Sequence, residues 1–293
     1  MNKPLVEKPF RDEGVAPTGN GGKSRMNKSL AYGFTLIEAI ITLVITGILA
    51  GIVAVFIAAP VESYIDTVRR ANLTDAADGA LRRIARDVHA ALPNSLRSTN
   101  SGSNSCFEFL PVLGAGRYRN APTGNVFDFT TTTAFSFDVL ANNNIGSLPA
   151  GTNHVVVYNL GIPGADAYAG DNRREITSVA GISPAMTVAL STGEKFPFRS
   201  PGKRFHVIPN YSVVYSCDMA SGQLLRSTRD LTAEPLNSCP TAGDVLVNNV
   251  SRCDFSYTAA VSQRNGQFTL RLGLTQAGES VQLYQEVHVD NVP

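Results

Sequence analysis

One carboxylate stands inside the most apolar stretch of this chain, and its position demands a chemical explanation. From Phe34 to Ala59 the sequence has 26 residues, and Glu38 carries the one ionisable side chain among them. A charged side chain within the hydrocarbon of a bilayer costs about 3 kcal/mol on insertion scales. Glu38 therefore needs either a partner of opposite charge or a function that explains its presence.

Elsewhere the sequence shows no residues with the spacing of a catalytic or zinc site. It has no HExxH pattern, no G-x-S-x-G motif and no glycine-rich phosphate-binding motif. The histidines form no close pair with a cysteine, and they are His89, His154, His206 and His288. We expect a protein that is not an enzyme and that has no resident cofactor.

Asp166, Asp171 and Glu175 form a weak metal candidate. They lie in or beside a glycine-rich segment, residues 161–174, and carboxylate oxygens are ligands that Ca²⁺ prefers. A solvated loop without an ion explains the same residues. We favour the solvated loop and keep calcium as the alternative.

Charge is sparse in this chain. Charged residues make up 17% of the sequence and the formal net charge is +1, whereas a nucleic-acid-binding protein shows a basic face or stripe. We therefore expect no nucleic-acid partner. The basic residues before the apolar stretch are Lys3, Lys8, Arg11, Lys23, Arg25 and Lys28. Such a flank stays in the cytoplasm, which predicts a single-pass inner-membrane protein with a cytoplasmic N-terminus and a periplasmic C-terminal domain.

The apolar stretch has three interpretations. A cleaved secretory signal has a shorter apolar run and a small-residue cleavage site, whereas here Ala58-Ala59 is followed by Pro60. A plain membrane anchor explains the hydropathy, because a helix of this length spans a hydrocarbon core of about 30 Å. It does not explain the sequence GFTLIE at residues 33–38.

The third interpretation accounts for that hexapeptide, which resembles the processing site of type IV pilins and pseudopilins. The resemblance implies that a prepilin peptidase cleaves between Gly33 and Phe34 and methylates the new amine of Phe34. Unlike a secretory signal, the apolar helix is retained. Glu38 then serves as an assembly contact that pairs with the Phe34 amine within the helix or in the next subunit.

Residues 1–33 are a cytoplasmic leader in this interpretation. Residues 1–25 are polar and rich in proline and glycine, so we expect them to be disordered. Residues 26–33 are by themselves a sufficient short leader. We therefore expect Met26 to be the true start, or residues 1–25 to be dispensable.

Two helical segments follow the leader. Residues 34–59 are the predicted transmembrane helix, and residues 60–94 show apolar residues at steps of three and four, which predicts an amphipathic periplasmic helix that Pro93 ends. Gly47 and Gly51 form a small-xxx-small pattern that lets helices approach closely. Because glycine is common in membrane helices, a helix-packing role and no special role both stay open.

From about residue 95 the apolar residues alternate, which is typical of strands. The predicted strands are 106–110, 134–139, 154–158, 204–208, 212–216, 223–227, 253–257, 268–274 and 281–289. Asn265-Gly266 and Ala277-Gly278 are predicted turns of an antiparallel meander, and residues 114–125, 141–153 and 161–174 are predicted surface loops. The fold class is α+β: a long N-terminal helix packed on an antiparallel β-sheet domain, residues 95–293, with long loops.

The four cysteines allow three complete pairings. Cys217 and Cys239 flank a polar excursion, and a bridge between them would restrict its unfolded freedom by roughly 3 kcal/mol. We favour that pair, with Cys106 then bonded to Cys253. Free buried thiols remain the alternative for Cys106 and Cys253.

Downstream segments extend the resemblance to the O-type minor pseudopilins of mannose-sensitive haemagglutinin (MSHA) pilus systems. The segments are residues 89–95, 106–111, 249–257 and 286–293. The resemblance implies a subunit that primes or caps pilus assembly and works with prepilin peptidase, other pilins and minor pseudopilins, and an inner-membrane assembly platform. The alternatives are a J-like pseudopilin of type II secretion and a plain membrane-anchored periplasmic binding or sensor protein.

Overall fold

The computed structural model describes residues 33–143, 145–181, 186–259 and 265–292. The predictions for residues 1–32, among them the start at Met26 and the disorder of residues 1–25, lie outside this part of the chain. The chain divides into two units, the first ending at Ala59 and the second beginning at Pro60.

One helix, α1 (Leu36–His89), begins in the first unit and ends in the second. In the first unit, each large apolar side chain from Leu36 to Ile57 is exposed. Within the described residues, α1 is the one helix that is long and apolar enough to cross a membrane. The first unit therefore has the length and composition of a membrane anchor.

In the second unit α1 buries one stripe. Its buried residues recur at steps of three and four, the spacing of one helix face, and are Leu73, Ala77, Ala80, Leu81, Ile84, Ala85 and Val88. The helix ends at His89, before the predicted boundary. Ala91 forms a bridge with Pro111, and the Leu92 N–H donates to the Leu110 carbonyl at 2.8 Å, so these residues have already left the helical hydrogen-bond pattern.

Fourteen described strands follow the helix. They are β1 Arg97–Ser101, β2 Asn104–Phe109, β3 Gly114–Tyr118, β4 Phe135–Asn143, β5 Asn153–Val156, β6 Arg173–Ala180, β7 Met186–Leu190, β8 Arg204–Pro209, β9 Tyr211–Asp218, β10 Gln223–Asp230, β11 Asp244–Val247, β12 Val250–Thr258, β13 Asn265–Gln276 and β14 Glu279–Asp290. All strand pairs are antiparallel. A long helix followed by antiparallel sheets agrees with the predicted α+β class.

Two open sheets share the main core with α1. The order is β1-β2-β9-β10-β11 in one sheet and β12-β13-β14 in the other, and their buried side chains form one cluster with the helix stripe. Phe107 lies at its centre. Its ring is 5.2 Å from that of Tyr215, 4.9 Å from that of Phe255 and 4.6 Å from that of Phe268, the range of favourable aromatic pairs.

The remaining strands close a barrel in the order β3-β4-β7-β6-β5-β8, which sequence patterning does not predict. Residues 114–125 were expected to form a loop, but Gly114–Tyr118 is strand β3. Gly116 explains why a strand with so little apolar alternation fits here. A Cβ atom at Gly116 would lie 2.7 Å from the Phe205 ring, so glycine lets that ring pack against the β3 backbone.

A buried arginine ties loops to the barrel wall. Arg174 on β6 is 3% exposed, and its guanidinium donates to the carbonyl oxygens of Glu194 at 2.8 Å, Gly193 at 2.8 Å and Thr133 at 3.1 Å, and also to that of Thr131. Satisfying these donors offsets the cost of burying the cation. The segments around residues 131–133 and 193–194 are thereby fixed to β6.

One predicted turn is wrong and one is confirmed. Asn265 and Gly266 belong to β13 and pair with Asp290 and Val289. A Cβ atom at Gly266 would lie 2.7 Å from the Tyr257 ring, so this glycine serves close packing. Ala277 and Gly278 form the two-residue turn between β13 and β14, both with positive φ, as a tight hairpin requires.

Two half-buried histidines on the barrel have lowered pKa values. Burial lowers the pKa of His154 and of His206 from 6.5 to about 4, and the nearby charges of Arg173 and Arg204 add to the effect. Because both folded pKa values are depressed, the unfolded chain takes up protons first as the pH falls below 6.5. Their stabilising contribution is complete above pH 6.5 and is lost between there and about pH 4.

We predict that His206→Gln makes the fold less sensitive to acid. Between pH 6.5 and about 4 the variant should lose less stability than the wild-type chain, by on the order of 1 to 3 kcal/mol, because one titrating group is gone. The measurement is unfolding of the full chain in detergent as a function of pH. The exposed His288 provides a matched control, since His288→Gln should follow the wild-type curve. Coincident curves for His206→Gln and wild type would contradict the assignment.

Candidate assembly site at the start of the apolar helix

The predicted cleavage site lies in non-helical chain immediately before α1. Gly33, Phe34 and Thr35 precede the first helical residue and are exposed, with Phe34 exposed by 73%. No heavy atom lies within 4 Å of a Cβ built on Gly33. Among the described residues the Gly33–Phe34 peptide bond is therefore open to another protein.

The start of the helix is stabilised by a side-chain pair that the sequence interpretation did not consider. Thr35 occupies the N-cap position: the Glu38 N–H donates to Thr35 Oγ1 at 3.3 Å, and the Thr35 hydroxyl donates to Glu38 Oε2 at 3.4 Å. The sequence Thr-x-x-Glu is the capping-box pattern, so the signal was present in the sequence. An acid in the first turn also interacts favourably with the helix dipole.

Glu38 consequently has a local hydrogen-bond partner, but that partner carries no charge. A hydroxyl satisfies one lone pair of the carboxylate without neutralising it. The side chain is exposed, and no cation lies within salt-bridge distance of Glu38 in the part of the chain that the structure describes. The carboxylate is thus available to a cation from outside the described residues.

Gly47 and Gly51 lie one helical turn apart on the exposed apolar segment. A Cβ atom at either position would meet no other heavy atom within 4 Å. The space that these glycines leave is not used by the described part of the chain. The packing role of this pair stays a prediction.

The predicted disulfide pairing is wrong. The structure joins Cys106 to Cys239 and Cys217 to Cys253, with Cα–Cα distances of 5.5 and 6.3 Å, which are usual for disulfides. Strand geometry explains the difference. Cys106 on β2 is directly opposite Ser216 on β9, so Cys106 and Cys217 point to opposite faces of the sheet.

Each face of that sheet holds one bridge. Cys217 belongs to the main core, where Cys253 of β12 also lies, and their bridge joins the two open sheets. On the other face the Ser216 hydroxyl donates to the Pro240 carbonyl at 2.6 Å, which places the segment after β10 beside Cys106. Cys239 is therefore within reach of Cys106 and out of reach of Cys217.

Two of the three residues of the calcium candidate, Asp166 and Asp171, make other contacts. Asp166 Oδ2 lies 3.0 Å from an Arg97 guanidinium nitrogen, and the Asp171 carboxylate accepts the Asp166 N–H at 3.2 Å. Glu175 lies on β6 opposite His154. Within the described ranges no three His, Cys, Asp or Glu side chains gather where they could hold a metal.

Arg97 also lies near a buried acid, Glu108. Glu108 on β2 is 1% exposed, and its carboxylate lies 3.4 Å from an Arg229 nitrogen and 3.8 Å from an Arg97 nitrogen. Burial raises the pKa of Glu108, although both arginines oppose this shift. Arg97 also lies 3.5 Å from the centre of the Tyr168 ring. This network links β1 and β2 to the 166–171 segment.

Comparison with known families finds a match at the N-terminus. The family described as "Prokaryotic N-terminal methylation motif" matches residues 28–54, which include Gly33, Phe34 and Glu38. No curated protein and no solved structure matches the chain. The motif supports a type IV pilin-like protein with a single-pass anchor helix, and it implies processing by prepilin peptidase and assembly with other pilins.

We predict that a digest under non-reducing conditions yields peptides joined through Cys106–Cys239 and through Cys217–Cys253. Mass spectrometry of the digest, before and after reduction, makes the assignment. A Cys217–Cys239 peptide would contradict these pairings.

Removing the bridge between the two open sheets with Cys217→Ser and Cys253→Ser should lower the free energy of unfolding by roughly 4 kcal/mol, because that bridge closes a loop of 36 residues.

Proposed function

We propose that this chain is a minor pseudopilin, a non-enzymatic structural subunit of a type IV filament. It is stored in the inner membrane and then packed into a pilus or pseudopilus through its N-terminal helix. The observation that carries the proposal is one arrangement: an exposed Gly33–Phe34 bond lies directly before a helix whose first turn holds Glu38 and whose apolar side chains are exposed.

Cleavage at this bond creates the cation that Glu38 lacks. The new amine on Phe34 lies four residues before Glu38 in the sequence and directly before the N-cap residue Thr35. It can reach Glu38 of its own chain, or Glu38 of a neighbouring subunit. Pairing between subunits lowers the cost of holding the carboxylate in an apolar bundle, and it favours one register of neighbouring helices.

The more specific assignment rests on the resemblance of the downstream segments to MSHA pseudopilins. We propose that the subunit primes or caps an MSHA-type pilus, with its N-terminus on the cytoplasmic side before cleavage and its β-rich domain in the periplasm. Its partners are prepilin peptidase, other pilins and minor pseudopilins, and the inner-membrane assembly platform. A J-like role in type II secretion uses the same helix and the same processing site.

A second candidate is a plain membrane-anchored periplasmic binding or sensor protein. The capping pair of Thr35 and Glu38 favours it, because a local role at the helix start explains the acid without any assembly. The two candidates differ in what they require of Glu38: the filament needs its charge, whereas the cap needs only a hydrogen-bond acceptor.

Glu38→Gln separates the two requirements, because glutamine keeps the capping acceptor and removes the charge. We predict that Glu38→Gln and Glu38→Ala are both processed and inserted, yet both enter filaments at least about tenfold less than the wild-type subunit. A loss of one buried hydrogen-bonded charge partner is large enough for this effect. The measurement is the ratio of subunit in sheared filaments to subunit in membranes.

The matched control is Thr35→Ala, which removes the cap and keeps the charge. This variant should enter filaments at nearly the wild-type level. Normal incorporation of Glu38→Gln together with poor incorporation of Glu38→Ala would assign Glu38 to the cap and would refute the charge-pairing role.

A further inference from the structure

Strand β14 forms an open edge of the three-stranded sheet. The order β12-β13-β14 places β14 at one side, and within the described residues it pairs with β13 alone. The opposite side of the sheet is covered, because the Phe255 N–H of β12 donates to Ser105 Oγ of β2 at 3.0 Å. One edge of this sheet is therefore closed and the other is open.

The hairpin geometry identifies which backbone groups face outward. Hydrogen-bonded and non-hydrogen-bonded pairs alternate along an antiparallel ladder. The Thr275 N–H donates to the Asn249 carbonyl at 2.8 Å and therefore points toward β12. Thr275 and its β14 partner Ser280 are thus a non-hydrogen-bonded pair, and the backbone groups of Ser280 point away from β13. The same alternation continues along β14, and the outward residues, all exposed, are Ser280, Gln282, Tyr284, Glu286 and His288.

This edge lacks most of the features with which proteins prevent strand addition. Protective features are short length, charged side chains (above all lysine), proline, a bulge or a covering segment. Glu279–Asp290 has 12 residues without proline or lysine, and its pairing with β13 is continuous, whereas the pairing of β12 with β13 contains a register shift. β14 is a regular and accessible template for another strand.

The other described strand edges are protected. β11 has four residues, and the six-stranded barrel is closed and has no edge. β1 has five residues, and the chain after β10 lies along it: Arg97 and Thr99 donate to the carbonyls of Ala233 and Leu236, and Cys239 is bonded to Cys106 of β2. β14 differs from these edges because it is both long and uncovered within the described residues.

The side chains of β14 define the chemistry of an occupant. On the core side, Val281 and Leu283 are half-buried at the rim of the main core, so alternate apolar residues of an added strand would extend that core. On the outer side, Glu286 is exposed and has no cation within salt-bridge distance among the described residues. Of the three acidic residues in the strand, Glu279 is paired with Arg70 of α1 at 2.9 Å, so the acid that faces an occupant is Glu286; the strand carries no lysine or arginine.

We propose that β14 is a docking site for an extended segment of another polypeptide, which adds to the sheet as a further strand. The segment carries apolar residues at alternate positions and lysine or arginine on its other face, opposite Glu286. A second copy of β14 fits less well, because it has no lysine or arginine to place opposite Glu286. The proposal rests on the sheet alone and stands whether or not the N-terminal helix enters a filament.

The test uses the full chain in detergent micelles and a synthetic peptide of the sequence TVKVTVKVT with blocked ends. One face of this peptide is valine and the other is threonine and lysine. The peptide should slow deuterium uptake in residues 279–290. A matched peptide, N-methylated at each residue whose N–H would face β14, should give no protection, because it cannot form the backbone bonds.

Two variants of one residue separate backbone from side chain. Tyr284→Pro removes an outward N–H that β13 does not use and should weaken peptide binding by at least about tenfold, whereas Tyr284→Ala keeps that N–H and should bind within about threefold of wild type.

Glu286→Lys, which leaves the backbone intact, should weaken binding of this peptide and strengthen binding of a peptide with glutamate in place of lysine. It therefore tests the edge even if Tyr284→Pro does not fold.

Three results would overturn the proposal. They are an absence of added protection by the unmodified peptide, equal protection by the N-methylated peptide, and protection of the outward amides of β14 before peptide is added in a chain whose mass is that of a dimer. The last result would assign the edge to a second copy.

Discussion

The apolar side chains between Leu36 and Ile57 must be removed from water, and nothing in the described part of the chain removes them. Burying one such side chain is worth roughly 1.5 to 3 kcal/mol, so the segment as a whole requires an apolar surrounding. Lipid tails and neighbouring apolar helices satisfy this requirement about equally well. Hydrophobicity therefore explains why the helix leaves water but not whether it stays in lipid or joins other helices. That choice depends on polar contacts, and within Phe34–Ala59 the one ionisable side chain is that of Glu38.

The geometry gives Glu38 a capping role, and that role is compatible with the proposed assembly role. Through Thr35 it caps the helix, which fixes where α1 begins and leaves Gly33 and Phe34 in non-helical chain. In the proposed function, its carboxylate pairs with the amine that cleavage at Gly33–Phe34 would create. In the account proposed here, a carboxylate that is costly in lipid becomes favourable beside a neighbouring amine.

Local patterns predicted the helix, the α+β class and many of the strands, because periods of 3.6 and 2 depend on neighbouring residues. They could not predict the barrel, since alternation shows that a strand has two faces but not which strands it pairs with. Gly114–Tyr118 was missed because its packing depends on the distant Phe205 ring. The predicted disulfide pairing used sequence distance, whereas strand alternation indicates the observed pairing. Cys217 points to the same face of its strand as the core residue Tyr215, whereas Cys106 points to the face opposite to that of the core residue Phe107. At the site, the Thr35–Glu38 cap was readable from the sequence, whereas the pairing of Glu38 between subunits involves atoms of another chain.

The central claim is that this chain is cut before its apolar helix and that the helix then carries an amine beside Glu38. Mass spectrometry of the intact mature protein, with fragmentation of its first peptide, tests this claim most directly. The account predicts a chain that begins at Phe34 and carries one added methyl group on its terminal nitrogen. A mature chain that still begins at Met1 or Met26 would contradict it, and the helix would then be a plain membrane anchor.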